Sequence, residues 1–402
     1  MRTAVVAGLL ISVALCAPAL AEWENLGLND RLVRAIATVG DYLFAATDSG
    51  VYRTLTIDPL PQWVHLGLSD HEISALMVLD LDTIFAGTAS GDATIYRSVD
   101  GGASWLPFQN GYGGGSVEPV LAFNRLPNQK DTLLATGLAV IARSTDRGLS
   151  WQPRWGDWSG WGVVVFAKVD RRNPSIVWAG GEGAIFNPWL FKSTDRGENW
   201  ELINVVYTGD NRCHDIAIHP SNSDLAYVSM EGQVQRTENG GDDWQIIATN
   251  GYYLYSVEID SLRPNNLYVS TAQLNEPLMF LKSSNGGQTW SEVVDLMQPD
   301  TPTYDMLLIS YSKASILYMA TRHGVFCYTD PVHFLCGDAD GSGAISISDA
   351  VCLINYIFAG GPAPDPLAAG DADSSGTISI SDAVYVINYI FAAGPVPCEG
   401  HR

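Results

Sequence analysis

The chain has 402 residues, 47% of them hydrophobic and 10% aromatic, which is enough apolar material for a large core and more than one domain and excludes a disordered protein. Its 44 acidic and 22 basic residues leave a net charge of −22. Phosphate backbones and anionic membranes are bound by clustered Lys or Arg, so nucleic acid is not an expected partner.

In chain order, the first element is a leader. Arg2 precedes an apolar run from Ala4 to Leu15 and the small-residue pattern Ala19-Leu20-Ala21, the layout of a secretory signal peptide. Residues 1–21 are therefore expected to be removed, leaving a secreted chain that begins at Glu22. No later segment has the ~20 apolar residues that span a bilayer, so no membrane span is expected.

Internal repeats dominate the chain beyond the leader. SVDGGASW at Ser98, STDRGLSW at Ser144, STDRGENW at Ser193, TENGGDDW at Thr237 and SSNGGQTW at Ser283 are five copies of one pattern. The pattern reads as a hairpin turn. Ser and Asp side chains satisfy turn backbone groups, Gly supplies a positive φ, and Trp packs the next strand inward. It resembles the Asp-box, or BNR repeat, of sialidase-like and sortilin-like β-propellers. The resemblance makes Asp100, Asp146, Asp195, Asn239 and Asn285 structural residues.

Each copy follows strand-like runs, for example EISALMVLD, DTIFAGT and ATIYRS, and with the strand after it makes a four-stranded blade. Trp63, Trp105, Trp151, Trp200, Trp244 and Trp290 recur at 42 to 49 residues, a blade-length period. Trp23-Glu-Asn-Leu-Gly-Leu reads like Trp63-Val-His-Leu-Gly-Leu but has no blade before it. At the other end YDMLLIS, SILYMAT and GVFCYTD supply three strands without a Trp strand. The expected fold is thus mainly β, a seven-bladed propeller over residues 22–334 whose N-terminal strand closes the last blade and leaves no free edge. Six blades are the alternative, because the copy YRTLTIDPLPQW lacks the turn motif and Phe334 offers a local outer strand.

By the resemblance, ligands meet the face opposite the Asp-box turns. Among the connections on that top face, Trp155, Trp158 and Trp161 lie in one Gly-rich stretch and offer flat rings to sugars or extended peptides. Tyr252 and Tyr253 are further ligand candidates. Trp155 and its neighbours also have a plain reading, as packing between blades. A glycosidase needs two carboxylates ~5 to 9.5 Å apart. The top-face acids are Asp70, Glu72, Asp157, Glu182, Asp210, Asp215 and Asp305, and no motif selects a catalytic pair.

The tail, residues 335–402, holds DADGSGAISISD and, 33 residues on, DADSSGTISISD. A calcium loop needs oxygen donors at positions 1, 3, 5, 7, 9 and 12 with Gly at 6. The first copy offers Asp338, Asp340, Ser342, the Ala344 carbonyl, Ser346 and Asp349, and the second Asp371, Asp373, Ser375, the Thr377 carbonyl, Ser379 and Asp382. Each loop runs into an apolar helical pattern, Val351, Ile354 and Ile357 or Val384, Ile387 and Ile390, that stops at Gly-Pro.

This loop-helix pair resembles a type I dockerin, which implies two calcium ions and a cohesin-type scaffold partner of an exported bacterial protein. In dockerins, loop positions 10 and 11 select the cohesin. Here they are Ile347-Ser348 and Ile380-Ser381, identical pairs that by resemblance permit binding in either of two orientations. The module carries no Lys or Arg before Arg402, a departure from the many dockerins that carry basic residues on their helices. Cys336 and Cys398 bracket it and are the candidate disulfide, a loop closure of roughly 4 kcal/mol.

Three functions fit: a secreted recognition propeller for a polysaccharide or peptide ligand, anchored by its dockerin; a glycoside hydrolase delivered the same way; or a structural cell-surface component.

Overall fold

The structure is a computed structural model that describes residues 22–56, 61–89, 94–115, 119–156, 162–183, 187–206, 212–272, 275–295, 298, 300–311, 314–331, 335–342, 344–364 and 367–398, with only the backbone at 22, 114–115 and 250–252. Two compact units divide it: Trp23–Ser310 with Ile316–Tyr328 form the first, and the second includes the residues from Thr329 onward.

The first unit is built of antiparallel sheets. After β1 (Glu22–Gly27) come β2–β5 (Val33–Val39, Tyr42–Thr47, Gly50–Leu55, Val64–His65), β6–β9 (Ile73–Val78, Ile84–Thr88, Ile95–Ser98, Leu106–Pro107), β10–β13 (Val120–Arg125, Leu133–Gly137, Val140–Ser144, Gln152–Gly156) and β14–β17 (Val163–Val169, Val177–Glu182, Pro188–Ser193, Glu201–Leu202). A six-stranded sheet holds β18–β23 (Cys213–Ile218, Ala226–Thr237, Gln245–Ile259, Leu267–Thr271, Leu278–Ser283, Ser291–Asp295). The last sheet joins β24–β26 (Thr303–Ser310, Ala314–Thr321, Gly324–Pro331) to β1 in the order β1-β26-β25-β24.

The six-stranded sheet has two parts. Gly232, at φ 74°, sits in the middle of β19, whose first half pairs with β18 and whose second half pairs with β20. β20 in turn pairs with β21 through Leu254–Ile259. The first strands form a closed circuit: β2 neighbours β6, then β10, β14, β18, the second half of β20, β24 and β2 again.

Second strands such as Tyr42–Thr47, Ile84–Thr88 and Leu133–Gly137 are almost wholly buried. They are short apolar runs interleaved with Ala and Gly, as strands covered on both faces must be. Apolar clusters fill the space between neighbouring sheets: Phe44, Ile73 and Ile84 in one, Phe85, Leu133 and Trp151 in the next. Burying each such large side chain contributes roughly 1.5–3 kcal/mol. The outermost strands β5, β9 and β17 are two residues long and exposed, which blunts them as templates for aggregation.

The five Ser/Thr-x-Asp/Asn-x-Gly turns share one hydrogen-bond scheme. In the first, Ser98 Oγ accepts from Gly102 N–H at 2.8 Å and donates to Asp100 Oδ1 at 2.7 Å, while Asp100 Oδ1 accepts from Ser104 N–H at 2.9 Å. Two successive residues take positive φ, Gly101 (70°) and Gly102 (93°), or Arg147 (60°) and Gly148 (78°). A Cβ on Gly148 would lie 2.5 Å from the Phe85 ring, so that position is closed to other residues for steric as well as torsional reasons.

The second unit contains α1 (Ile347–Ala359), α2 (Leu367–Gly370) and α3 (Ile380–Ala392). Ser346 and Asp349 form a capping box at the start of α1, and Ser379 and Asp382 repeat it at α3, which satisfies backbone donors that helix ends leave free. The buried face centres on Ala350 and Leu353, and on Ala383 and Val386. Of the apolar pattern read from the sequence, Ile357, Ile387 and Ile390 pack against this face, whereas Val351, Ile354 and Val384 are exposed, as are Ile347, Phe358, Ile380 and Phe391. Each helix therefore has two apolar faces. Cys336 and Cys398 are joined by a disulfide, Cα–Cα 6.0 Å.

Candidate functional site

The first strands of the sheets surround one axial cavity of about 260 Å³. In six of them the register shifts at the same place, between Val33 and Ala35, Ile73 and Ala75, Val120 and Ala122, Val164 and Phe166, Cys213 and Asp215, and Leu254 and Val257. A bulge re-aims the extra side chain. The bulged residues Arg34, Ser74, Leu121, Val165, His214 and Tyr255 all line the cavity, together with Tyr304 of β24.

These side chains make a two-sided rim. His214 stacks on Tyr255 with centroids 4.1 Å apart, Tyr255 meets Tyr304 edge-on at 6.4 Å, and the Arg34 guanidinium lies 5.9 Å from the Tyr304 ring. Leu121 and Val165 face them. Arg34 is paired with Glu72, and Arg212 with Glu182. Burial holds the His214 imidazole below its usual range, against Glu231 at 3.6 Å.

Along the same cavity four charges gather. Lys168 Nζ lies 3.3 Å from Asp215 Oδ1 and 3.6 Å from Glu258 Oε1. Burial opposes the ammonium, but Asp215, Glu258 and Asp305 outweigh it and hold Lys168 above its usual range. Burial raises Glu258 to about 7 against the pull of Lys168, and Asp305 to about 6 against the Ile36 N–H and Lys168. Asp305 accepts from Ile36 N–H at 3.0 Å and Asp215 from Ser256 Oγ at 2.9 Å, so these acids also tie neighbouring first strands together.

Of the ligand candidates read from the sequence, Trp155 is half-buried, its ring 5.0 Å from Trp189 and 4.5 Å from Phe191. That is packing between sheets. Trp158, Trp161 and the Tyr252 side chain lie outside the described residues, as do Asp157 and Asp210. Tyr253 is 51% exposed. Asp215 and Asp305 come together at the cavity, whereas Glu72 and Glu182 serve arginines on the rim. Sequence reasoning missed Lys168, Glu258, Tyr255, Tyr304 and Arg34. Aligning VRAI, ISAL, VLAF, VVFA, CHDI, LYSV and TYDM, the cavity-facing stretches of the first strands, exposes their common second position.

The two acidic loops are a second site. Carboxylate oxygens of Asp338, Asp340 and Asp349 lie within 4.8 Å of one another, and so do those of Asp371, Asp373 and Asp382. Asp349 Oδ1 accepts from Asp340 N–H at 3.0 Å and Oδ2 from Ser346 N–H at 2.7 Å, which leaves each oxygen a further lone pair. Ser342 and Ser375 hydroxyls turn toward Asp338 and Asp371 at 3.3 and 3.4 Å. An all-oxygen set with acids at this density fits a hard cation such as calcium. Burial together with Asp340 keeps Asp349 above its usual range, and burial together with Asp373 does the same for Asp382.

Residues 336–391 match the Dockerin type I domain, a domain that binds calcium and cohesin modules in extracellular bacterial proteins. No curated protein sequence matches the chain. Among solved structures, the GH74 xyloglucanase from Xanthomonas campestris is 18% identical, with a TM-score of 0.58 over 76% of this chain and 53% of its own. YCF48 bound to D1 peptide is 16% identical, with a TM-score of 0.58 over 80% of this chain and 100% of its own. An ancestral GH74 enzyme is 16% identical, with a TM-score of 0.58 over 80% and 47%. The chain spans about half the length of the two GH74 structures. These likenesses show the fold of the first unit, a β-propeller. No helix among the described residues is long and apolar enough to cross a membrane.

Proposed function

We propose that this is a secreted recognition protein: a seven-bladed Asp-box propeller that binds a carbohydrate or protein ligand at the top mouth of its axial channel, joined to a dockerin that attaches it to a cohesin-type scaffold. The observation that carries the reading is the rim. Bulges in six first strands aim six side chains into one opening, with aromatic rings from three successive strands on one side. Seven blades follow from counting the six-stranded sheet as two, β18 to the first half of β20 and the second half of β20 to β23. The dockerin takes two calcium ions, one in each acidic loop, and presents Ile347-Ser348 or Ile380-Ser381 to its partner in either of two orientations.

A second reading, a glycoside hydrolase, is favoured by the GH74 likenesses and by Glu258 and Asp305, whose raised pKa values suit proton transfer. Against it, both acids are engaged electrostatically by Lys168. The test of the main reading is retention of the calcium-loaded chain on a panel of insoluble polysaccharides and immobilised proteins. A specific ligand is one retained by the native chain and released on combining Tyr255→Ala with Tyr304→Ala. Equal retention by both forms refutes a rim site.

A further inference from the structure

Below the rim, three carboxylates share one ammonium. Asp215 is saturated: it accepts from Ile216 N–H at 2.8 Å, Ser256 Oγ at 2.9 Å and Val257 N–H at 3.3 Å, besides facing Lys168. Asp305 accepts from Met306 and Ile36 N–H at 2.9 and 3.0 Å. Glu258 is different. Among the described residues it accepts no hydrogen bond; its ion pair is with Lys168 at 3.6 Å, and Arg171 acts on it from farther off. Its carboxyl is held up at about 7 by burial, the mark of a charge without enough compensation.

An independent feature of the cavity points to a ligand. His214 is only 8% exposed and lines the same space, and its Nε2 faces Glu231 Oε1 at 3.6 Å, too far for a hydrogen bond. A buried polar atom left unpaired costs free energy that a ligand can restore. A neutral imidazole offers an acceptor nitrogen, and the His214–Tyr255–Tyr304 rings around it present π faces.

Three acids outnumber the one ammonium of Lys168, and the rings offer π faces beside Arg34, a balance that favours a cation over an anion. A metal ion fits less well, because among the described residues only the two dockerin loops bring three acids within 4.8 Å of one another. Glu258 lies three strand residues below the bulge at Tyr255, about 10 Å at ~3.3 Å per residue. A cavity of about 260 Å³ at that depth suits an unbranched chain.

We propose that the axial channel binds a linear alkylammonium group, from a free polyamine or a lysine side chain, which passes Tyr255 and Tyr304 and sets its ammonium against Glu258. The inference rests on the top mouth being the recognition site and adds the class of group recognised there.

The test is calorimetric titration of the full chain, with calcium saturating so that the dockerin acids are occupied, in ~0.15 M salt to screen the net charge. Spermidine and N-acetyl-lysine methylamide are the two probes. At least one is expected to show a single saturable site. Its affinity falls about tenfold or more in Glu258→Gln, as loss of a charged hydrogen bond requires. It rises by a similar factor in Lys168→Met, where the resident ammonium no longer competes, and is unchanged in the exposed-acid control Asp82→Asn. Binding of the lysine probe assigns the group to a peptide, and binding of spermidine alone assigns it to a free polyamine. No saturable site for either probe, or equal affinity in the native chain and Glu258→Gln, overturns the proposal. If retention on the ligand panel still depends on Tyr255 and Tyr304, this inference fails alone; if that dependence is lost too, the rim reading fails with it.

Discussion

Trp63 donates its indole N–H to the carbonyl of Leu26 at 2.7 Å, from the outer part of the β2–β5 sheet to β1 of the sheet formed with β24–β26. Trp105 makes the same bond to Leu66 at 2.7 Å, and Trp151 to Phe108 at 3.0 Å. The repeat shows what β1 does: it occupies, beside β26, the outer-strand place that Val64–His65 and Leu106–Pro107 occupy in their own sheets. Gly27, at φ 103° with its hypothetical Cβ 3.2 Å from Trp63 Nε1, keeps that approach open. Replacing Trp63 by Phe leaves the Leu26 carbonyl without its donor, and the chain should lose about 1 kcal/mol of stability in denaturant unfolding. Removing residues 22–28 should cost far more, because it strips the outer strand from a whole sheet.

The turns carry a covariation that can be tested by swapping. Where position 3 is Asp, the residue four places on is a donor: Ser104, Ser150 or Asn199. Where it is Asn, that residue is an acceptor: Asn239 Nδ2 donates to Asp243 Oδ2 at 3.0 Å and Asn285 Nδ2 to Thr289 Oγ1 at 2.8 Å. Asn239→Asp sets two carboxylates against each other and should destabilise by about 0.5–1 kcal/mol, the exposed-pair scale. Adding Asp243→Ser should restore the loss, measured by the same unfolding midpoint.

The axial acids give the propeller a pH dependence of definite sign, opposed in part by His214, whose depressed imidazole makes the folded state gain stability as pH rises through the imidazole range. Glu258 at about 7 and Asp305 at about 6 both lie above the unfolded carboxyl range, so the folded state holds protons that the unfolded chain has released. Their stabilisation is complete below the unfolded pKa, near 4, and is lost as pH rises through 6 and 7. Asp100, held at about 2 chiefly by Ser104, stays ionised in this window and adds no slope. The melting temperature should fall by several degrees between about pH 5.5 and pH 8, with a smaller fall in Glu258→Gln.

The fold was legible where chemistry repeats along the chain. The Ser-x-Asp-x-Gly turns, the Trp period and the unmatched Trp23 strand name local contacts, and each survives in the structure as a hydrogen bond or packed ring. The acidic loops were legible for the same reason, since their donors lie within twelve residues. The axial site was not. Lys168, Glu258 and Tyr304 come from three different sheets, and only closure of the strands brings them together. The helical face was half legible because α1 and α3 are apolar on two sides: Ile357, Ile387 and Ile390 pack inward, while Val351, Ile354 and Val384 do not. The buried side uses Ala350 and Leu353, and Val351 and Phe358 remain outside, the latter 70% exposed.

Calcium should decide whether the C-terminal module is folded. The loops set three acids within 4.8 Å of one another, and repulsion among them is relieved only by a cation, so chelator should abolish the helical signal of α1 and α3 and excess calcium should restore it. Asp340→Ala should weaken the first loop alone. A helical signal indifferent to chelator contradicts calcium-dependent folding.

Recognition without catalysis is tested most directly by one measurement: sugar release by the purified, calcium-loaded chain from plant and microbial polysaccharides, recorded beside its retention on the insoluble ones. Retention or protein capture at the rim without release is the predicted result. Release that disappears on substituting a single channel acid, Glu258→Gln or Asp305→Asn, would contradict it and make the propeller a hydrolase.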